Sequence, residues 1–303
     1  MPLKLADIHI RDPFVLPVPR TREYFMFGTT NKIGQYGAVG TGFDCYQSKD
    51  LENWTGPFPA FRPSRTFPGK TDHWAAESHF YRGNYYLFGT VKARGGYRGT
   101  QIFISKKPQG PYVPLTKRPS TPPDWECLDG TLHIDVAGKP WMVFCHEWVQ
   151  VHNGGMWAVQ LSNNLKKTVG RPVFLFNASE AAWARPLELG SRKNEFHFPC
   201  YVTDGPFLYR TKKGSLLMLW SSFGTSGYTM SIARSTTGHV TGPWIQEKTP
   251  IWKKDGGHGM IFKTFDGRLM MTIHRPNNGP AERAQFFELE DTGTGLRLMC
   301  LDR

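Results

Sequence analysis

An all-β chain folded as a five-bladed β-propeller is the architecture this sequence predicts, on three observations. One strand–turn–strand unit recurs five times. Its turns carry hairpin residues. No segment shows the 3.6-residue apolar period of a long helix.

The copies read RDPFVLPVPRTREYFMFGTT from Arg11, AAESHFYRGNYYLFGTV from Ala75 and LDGTLHIDVAGKPWMVFCHEW from Leu128. They continue as TDGPFLYRTKKGSLLMLWSSF from Thr203 and GHGMIFKTFDGRLMMTIHRP from Gly257. Turns such as RGN, AGK, KKGS and DGR place Gly or Asp where the backbone needs positive φ. Each copy leads into a third strand that ends in polar residues, often with Gly-Pro: FDCYQSKDLENWTGP, TQIFISKKPQGPY, MWAVQLSNNLKK, MSIARSTTGHVTGPW and AQFFELEDTGTGLRL. Three or four strands per unit, repeating every roughly 50 to 75 residues, describe propeller blades. Five blades use the whole chain, so residues 1–303 read as one domain.

Composition narrows the partners. Aromatic residues make up 14% of the 303, enough to fill a core and to line a sugar-binding groove. The net charge of +12 is spread among apolar residues, with no run of five Lys or Arg and no RNA-reading fingerprint. A nucleic-acid partner is therefore not expected. The five cysteines (Cys45, Cys127, Cys145, Cys200 and Cys300) are far apart and odd in number, and read as buried free thiols. The opening MPLKLADIHIRDPF has no leader-like apolar core, and no apolar stretch is long enough to span a membrane. The expectation is a cytoplasmic location and no membrane association, unless an export signal has been trimmed. Oligomeric state is not legible.

A propeller gathers the residues that open its innermost strands at one mouth of the channel. Those residues are Asp12, Glu77, Asp129, Asp204 and His258. Residues closing the second strands should lie slightly further out: Thr29, Thr90, Glu147, Ser221 and His274. Isolated carboxylates at strand starts often do no more than cap turn amides. Several like charges around one opening raise free energy unless they have chemical work to do.

These strings resemble glycoside hydrolase family 43 along essentially the whole chain. IRDPFV is similar to the family's first-blade motif, SKDLENWTGP to the end of that blade, and HWAAESHFYRGNYYLFGT to its second blade. CLDGTLHID and DGGHGMIF are similar to the third-blade and fifth-blade segments. The resemblance implies an inverting enzyme that acts from chain ends, releasing β-D-xylose or α-L-arabinofuranose from xylan- and arabinoxylan-derived oligosaccharides of the plant cell wall. It implies Asp12 as general base, Asp129 as the residue that tunes the acid, and His258 beneath the sugar, contacting a calcium ion or a water.

The sequence departs from the family at the fourth blade, where Asp204 stands before Gly-Pro in place of the family's acidic Glu. Aspartate is one methylene shorter, about 1.5 Å of reach, and proton transfer needs hydrogen-bond contact. Glu147, in FCHEW, is the other candidate acid. Trp74, Phe27 and Phe198 are candidate sugar platforms; Glu77, Ser221, His258 and Arg275 are candidate polar contacts. Two other functions fit the same fold. A non-catalytic propeller that binds polysaccharide or RNA would need no carboxylates. A glycoside phosphorylase would need a cluster of Arg and Lys at the mouth, and Asp12 in its RDP setting argues for water instead.

Overall fold

The computed structural model describes residues 2–30, 42–189, 195–196 and 198–299. Five antiparallel sheets follow one another along the chain, each built from consecutive strands. Blade one contains Arg11–Val18, Glu23–Thr29, Phe43–Ser48 and Asn53–Phe61, with Leu3–Lys4 added at its outer edge. Blade two contains Gly69–Tyr81, Asn84–Ala93, Arg98–Ser105 and Val113–Pro114. Blade three contains Cys127–Ile134, Pro140–His146, Gly155–Leu161 and Thr168–Asn177. Blade four contains Asp204–Arg210, Leu216–Gly224, Gly227–Ser235 and Trp244–Gln246. Blade five contains Ile261–Lys263, Leu269–Arg275, Arg283–Asp291 and Leu296–Leu298. The five-bladed expectation is met.

The second strand of each blade is buried on both faces, which is why it reads as a continuous apolar run and not as an alternating one. Blade four shows the division of labour. Leu216, Met218 and Trp220 pack toward blade three, with Val143 and Met156. Leu217 and Leu219, pointing the other way, pack toward blade five with Ile261, Met271 and Ile273. Similar layers join blade two to blade three, and blade one to both its neighbours. The core is thus a ring of interblade layers. Among the described residues the ring closes by packing: the turn Leu5–Asp7 lies on strand Arg283–Asp291, and His9 bridges to Arg283.

Cys45, Cys127 and Cys145 are buried free thiols and Cys200 is buried, while Cys300 lies outside the described residues. Among the described residues no helix is long and apolar enough to cross a membrane.

One local irregularity builds the channel mouth. In blade one Arg11 pairs with Thr29, but the next pair is Phe14 with Phe27, so the first strand carries one extra residue. The same step separates Trp74–Thr90 from Glu77–Phe88, Leu128–Cys145 from Thr131–Val143, and Asp204–Ser221 from Phe207–Leu219. In blade five Gly257 bridges to His274, and Thr272 bonds to Met260. Every blade therefore starts with a β-bulge, a device that re-aims side chains beside functional sites. The second residue of each bulge has positive φ: Asp12 (53°), Ala75 (46°), Asp129 (56°), Gly205 (53°) and His258 (47°). Non-glycine residues seldom adopt this conformation, and it stores strain.

Candidate active site

Each left-handed turn is held by the preceding blade. The amide of Ala75 donates to Thr29 Oγ1 at 2.8 Å, that of Asp129 to Thr90 Oγ1 at 3.0 Å, and that of His258 to Ser221 Oγ at 2.9 Å. The amide of Asp12 donates to His274 Nδ1 at 3.2 Å. Blade three has Cys145 at the closing position, not Glu147, and the amide of Gly205 turns instead to Asp129 Oδ2 at 3.2 Å. Ser221, fully buried beneath His258, is a clamp for the backbone and not a sugar contact.

Asp12 is held ionised. His258 Nδ1 lies 3.1 Å from its Oδ1, and Thr29 Oγ1 donates to its Oδ2 at 2.6 Å. Burial alone would raise its pKa; the His258 imidazolium, its hydrogen bond and nearby Arg11 outweigh burial and hold the carboxyl well below the usual range. His258 answers in kind. Burial opposes its charge, but Asp12, Asp129 and Asp204 push its pKa up to about 10. His274 Nδ1 also lies 3.4 Å from Asp12 Oδ1. This is not an ion pair, because Nδ1 accepts the Asp12 amide and Nε2 lies 3.1 Å from Asn277 Oδ1. The ring is neutral, its pKa pushed down to about 3 chiefly by burial.

Strict strand alternation would point Arg11 away from the side that Asp12 faces. The bulge breaks that alternation, and Arg11 reaches Glu282 and the Asn277 carbonyl beside the base.

Asp129 and Asp204 behave oppositely to Asp12. Burial raises both, and each sits in the field of other carboxylates. His258 Nδ1 is 3.7 Å from Asp129 Oδ2, too far for the close bond it makes with Asp12. The pair is therefore built to retain a proton while Asp12 has none. Asp204 stands at the first residue of its bulge, one position before the place held by Asp12 and Asp129. The second place must be Gly205. Its φ is positive, and a Cβ there would lie 2.4 Å from His258 Cδ2. Asp204 Oδ2 accepts from the buried Tyr228 hydroxyl at 2.9 Å.

Glu147 begins a single helical turn, Trp148–Val151, two residues beyond the closing position. Arg98 Nη2 approaches its Oε2 at 2.6 Å, and the same guanidinium meets Glu126 at 3.2 Å and Asp72 at 3.4 Å. Burial raises the Glu147 pKa to about 7 against the pull of Arg98. The guanidinium also lies 5.2 Å from the centre of the half-buried Trp74 ring.

The remaining candidates separate. Phe27 is fully buried, edge-on to Tyr112 in the blade-one core, so it is not a platform. Phe198 is 65% exposed, with its ring 5.6 Å from that of His152. Glu77 falls two residues past the opening position, which Ala75 holds, and bonds to His79 at 3.0 Å. Arg275 is exposed, donating to the Lys254 carbonyl at 2.9 Å and lying over Trp252.

The calcium ion that the resemblance implied would meet protein only at His258. His258 turns Nδ1 to two carboxylates and packs its opposite edge on Gly205. Calcium takes six to eight oxygen ligands, and among the described residues no three His, Cys, Asp or Glu side chains form a metal-binding group.

Tyr228, Arg98 and Glu282 were missed from the sequence. No motif marks them, because each acts across strands that are distant in the chain.

An ionised carboxylate and a raised carboxyl pair face one channel mouth, the two charge states that glycoside cleavage asks of a base and an acid. The sequence matches the family described as glycosyl hydrolases family 43 over residues 6–294, and the chain belongs to that family. The structure of an endo-arabinase from Bacteroides thetaiotaomicron is 38% identical, covers 97% of this chain and 99% of its own, and superimposes with a TM-score of 0.88. A thermostable family-43 glycoside hydrolase is 21% identical (96% and 93% covered, TM-score 0.78). An endo-1,4-beta-xylanase from B. thetaiotaomicron is 22% identical (99% and 97% covered, TM-score 0.77); these two show the fold alone. No curated protein matches the sequence.

Proposed function

We propose that the protein is an inverting hydrolase of α-L-arabinofuranosyl linkages in plant cell-wall arabinan. The observation that carries the mechanism is the opposed charge state of Asp12 and the Asp129–Asp204 pair around His258. Asp12 takes a proton from water as its oxygen attacks the anomeric carbon. The glycosidic C–O bond breaks on the opposite side, and Asp204 gives its proton to the departing oxygen. Asp129 keeps the Asp204 pKa high through its adjacent charge. An inverting pair leaves about 6.5–9.5 Å between base and acid for that water.

The 38% identity to a protein named endo-arabinase supports arabinan as substrate and cleavage inside the chain. Release of terminal xylose or arabinose, expected from the sequence, is the alternative. Trp74 and the exposed Phe198 are the proposed platforms. The cations near the mouth speak against phosphorolysis: Arg11 is bound by Glu282, and Arg98 by three carboxylates, so neither is free to hold phosphate.

Linear arabinan, xylan and aryl glycosides of arabinofuranose and xylose, assayed with and without phosphate, test this. The expected result is phosphate-independent release of arabino-oligosaccharides whose first-formed anomer is inverted by NMR. A retained anomer would sink the mechanism, and turnover of xylan alone would sink the substrate.

A further inference from the structure

We propose that Tyr228 is a positioning residue that decides which oxygen of Asp204 delivers the proton. The inference rests on Asp204 being the acid. The Tyr228 hydroxyl donates to Asp204 Oδ2 at 2.9 Å. A carboxylic acid whose Oδ2 is already accepting a hydrogen bond carries its own proton on Oδ1. That leaves Oδ1 as the donor atom, and once the proton has gone, the same bond stabilises the carboxylate. A short aspartate at this position has little slack, so a fixed rotamer matters more than it would for glutamate.

Tyr228 is itself held on three sides. It is 1% exposed, and its ring stacks on that of His274 at 5.6 Å and 27°. Its amide donates to Asp255 Oδ1 at 3.2 Å, while Asp255 Oδ2 accepts the amide of Asn277 at 3.3 Å. Asn277 Oδ1 meets His274 Nε2, and His274 Nδ1 accepts the amide of Asp12. One connected set of contacts therefore runs from the acid through Tyr228 and His274 to the backbone of the base. Tyr228 comes from the third strand of blade four, opposite Phe223, which explains why no strand-opening motif contains it.

The test is a double-mutant cycle with Tyr228→Phe and Asp204→Asn, read on arabinan and on a dinitrophenyl arabinofuranoside. Phenylalanine keeps the stack and removes only the donor. Tyr228→Phe should lose roughly 10–100-fold in kcat on arabinan, where protonation limits the rate, and far less on the dinitrophenyl substrate. Its alkaline limb in kcat/KM should move to higher pH, because the bond lost favoured the ionised acid. In the Asp204→Asn background the same change should cost almost nothing further on arabinan, since the bond it removes has no acid left to orient. Equal losses on both substrates, or full additivity in the cycle, would overturn the role and make Tyr228 structural. If Asp204→Asn alone fails to discriminate between leaving groups, the acid assignment fails first, and the inference falls with it.

Discussion

The amide of Gly205 donates to Asp129 Oδ2, fastening the carboxylate of blade three to the peptide that follows Asp204. The contact fixes the spacing of the two carboxyl groups. If the proposed role of Asp129 holds, Asp129→Asn removes a charge beside the acid, and the alkaline limb of kcat/KM moves to lower pH. Activity on arabinan should fall about 10²–10⁴-fold. A pH–rate profile of the variant checks this; an unmoved limb would mean that Asp129 does not act on the acid.

Gly205→Ala should be severe for a residue so small. The new Cβ meets the His258 ring, and alanine resists the required positive φ. Loss of His258 from its place frees Asp12 to protonate. The expected outcome is a lower melting temperature and an acid limb shifted to higher pH, both measurable on purified protein. A variant with wild-type values would show that the ring is not seated by this glycine.

The histidine contribution to stability should peak near pH 6.5, while the raised carboxyls of Glu147, Glu282, Asp129 and Asp204 take stability away as pH climbs above their unfolded range. His258 has a folded pKa raised to about 10, so its contribution is full below 6.5 and is lost as pH rises toward 10. His274, at about 3, and His73 and His133, both at about 4, stay neutral when folded but charge when unfolded below 6.5. Their preference for the neutral form destabilises the fold as pH falls. Melting temperatures across pH 4–10 check the dome, and His258→Gln should flatten its alkaline side. A monotonic rise through pH 9 in the wild type would contradict the His258 assignment.

Asp12→Asn should fail on both good and poor leaving groups, because no group then activates water. Folding should persist, since the amide removes no core packing. Near-normal kcat with intact melting behaviour would remove Asp12 from the base role.

The propeller was legible because repetition is written into the chain. Five hairpins with similar turns need no knowledge of distant contacts. The mouth was legible only in part. Asp12, Asp129 and His258 stand where the repeats put them, but the repeated bulge shifted the rest. Glu77 was aligned with Asp12 although Ala75 holds that position, and Glu147 was aligned with Thr29 although Cys145 does. A one-residue bulge has no signature of its own beyond an occasional glycine, and only in blade four, at Gly205, does glycine hold its positive-φ place. Phe27 looked the same as a platform and as a core residue, since both uses want a flat apolar ring. Ser221 was misread because a hydroxyl that clamps an amide and one that meets sugar are the same residue in sequence.

The central claim is that Asp204, not Glu147, protonates the leaving oxygen. Glu147, with its pKa near 7, is the rival, but Arg98 holds its carboxylate at 2.6 Å. The direct measurement is the ratio of kcat/KM on a dinitrophenyl arabinofuranoside to that on arabinan, for Asp204→Asn and Glu147→Gln. A leaving group that needs no proton should rescue Asp204→Asn, raising its ratio by about 10²-fold or more over wild type, while Glu147→Gln keeps a ratio near that of wild type. A raised ratio for Glu147→Gln, with equal losses on both substrates for Asp204→Asn, would exchange the two roles and contradict the account.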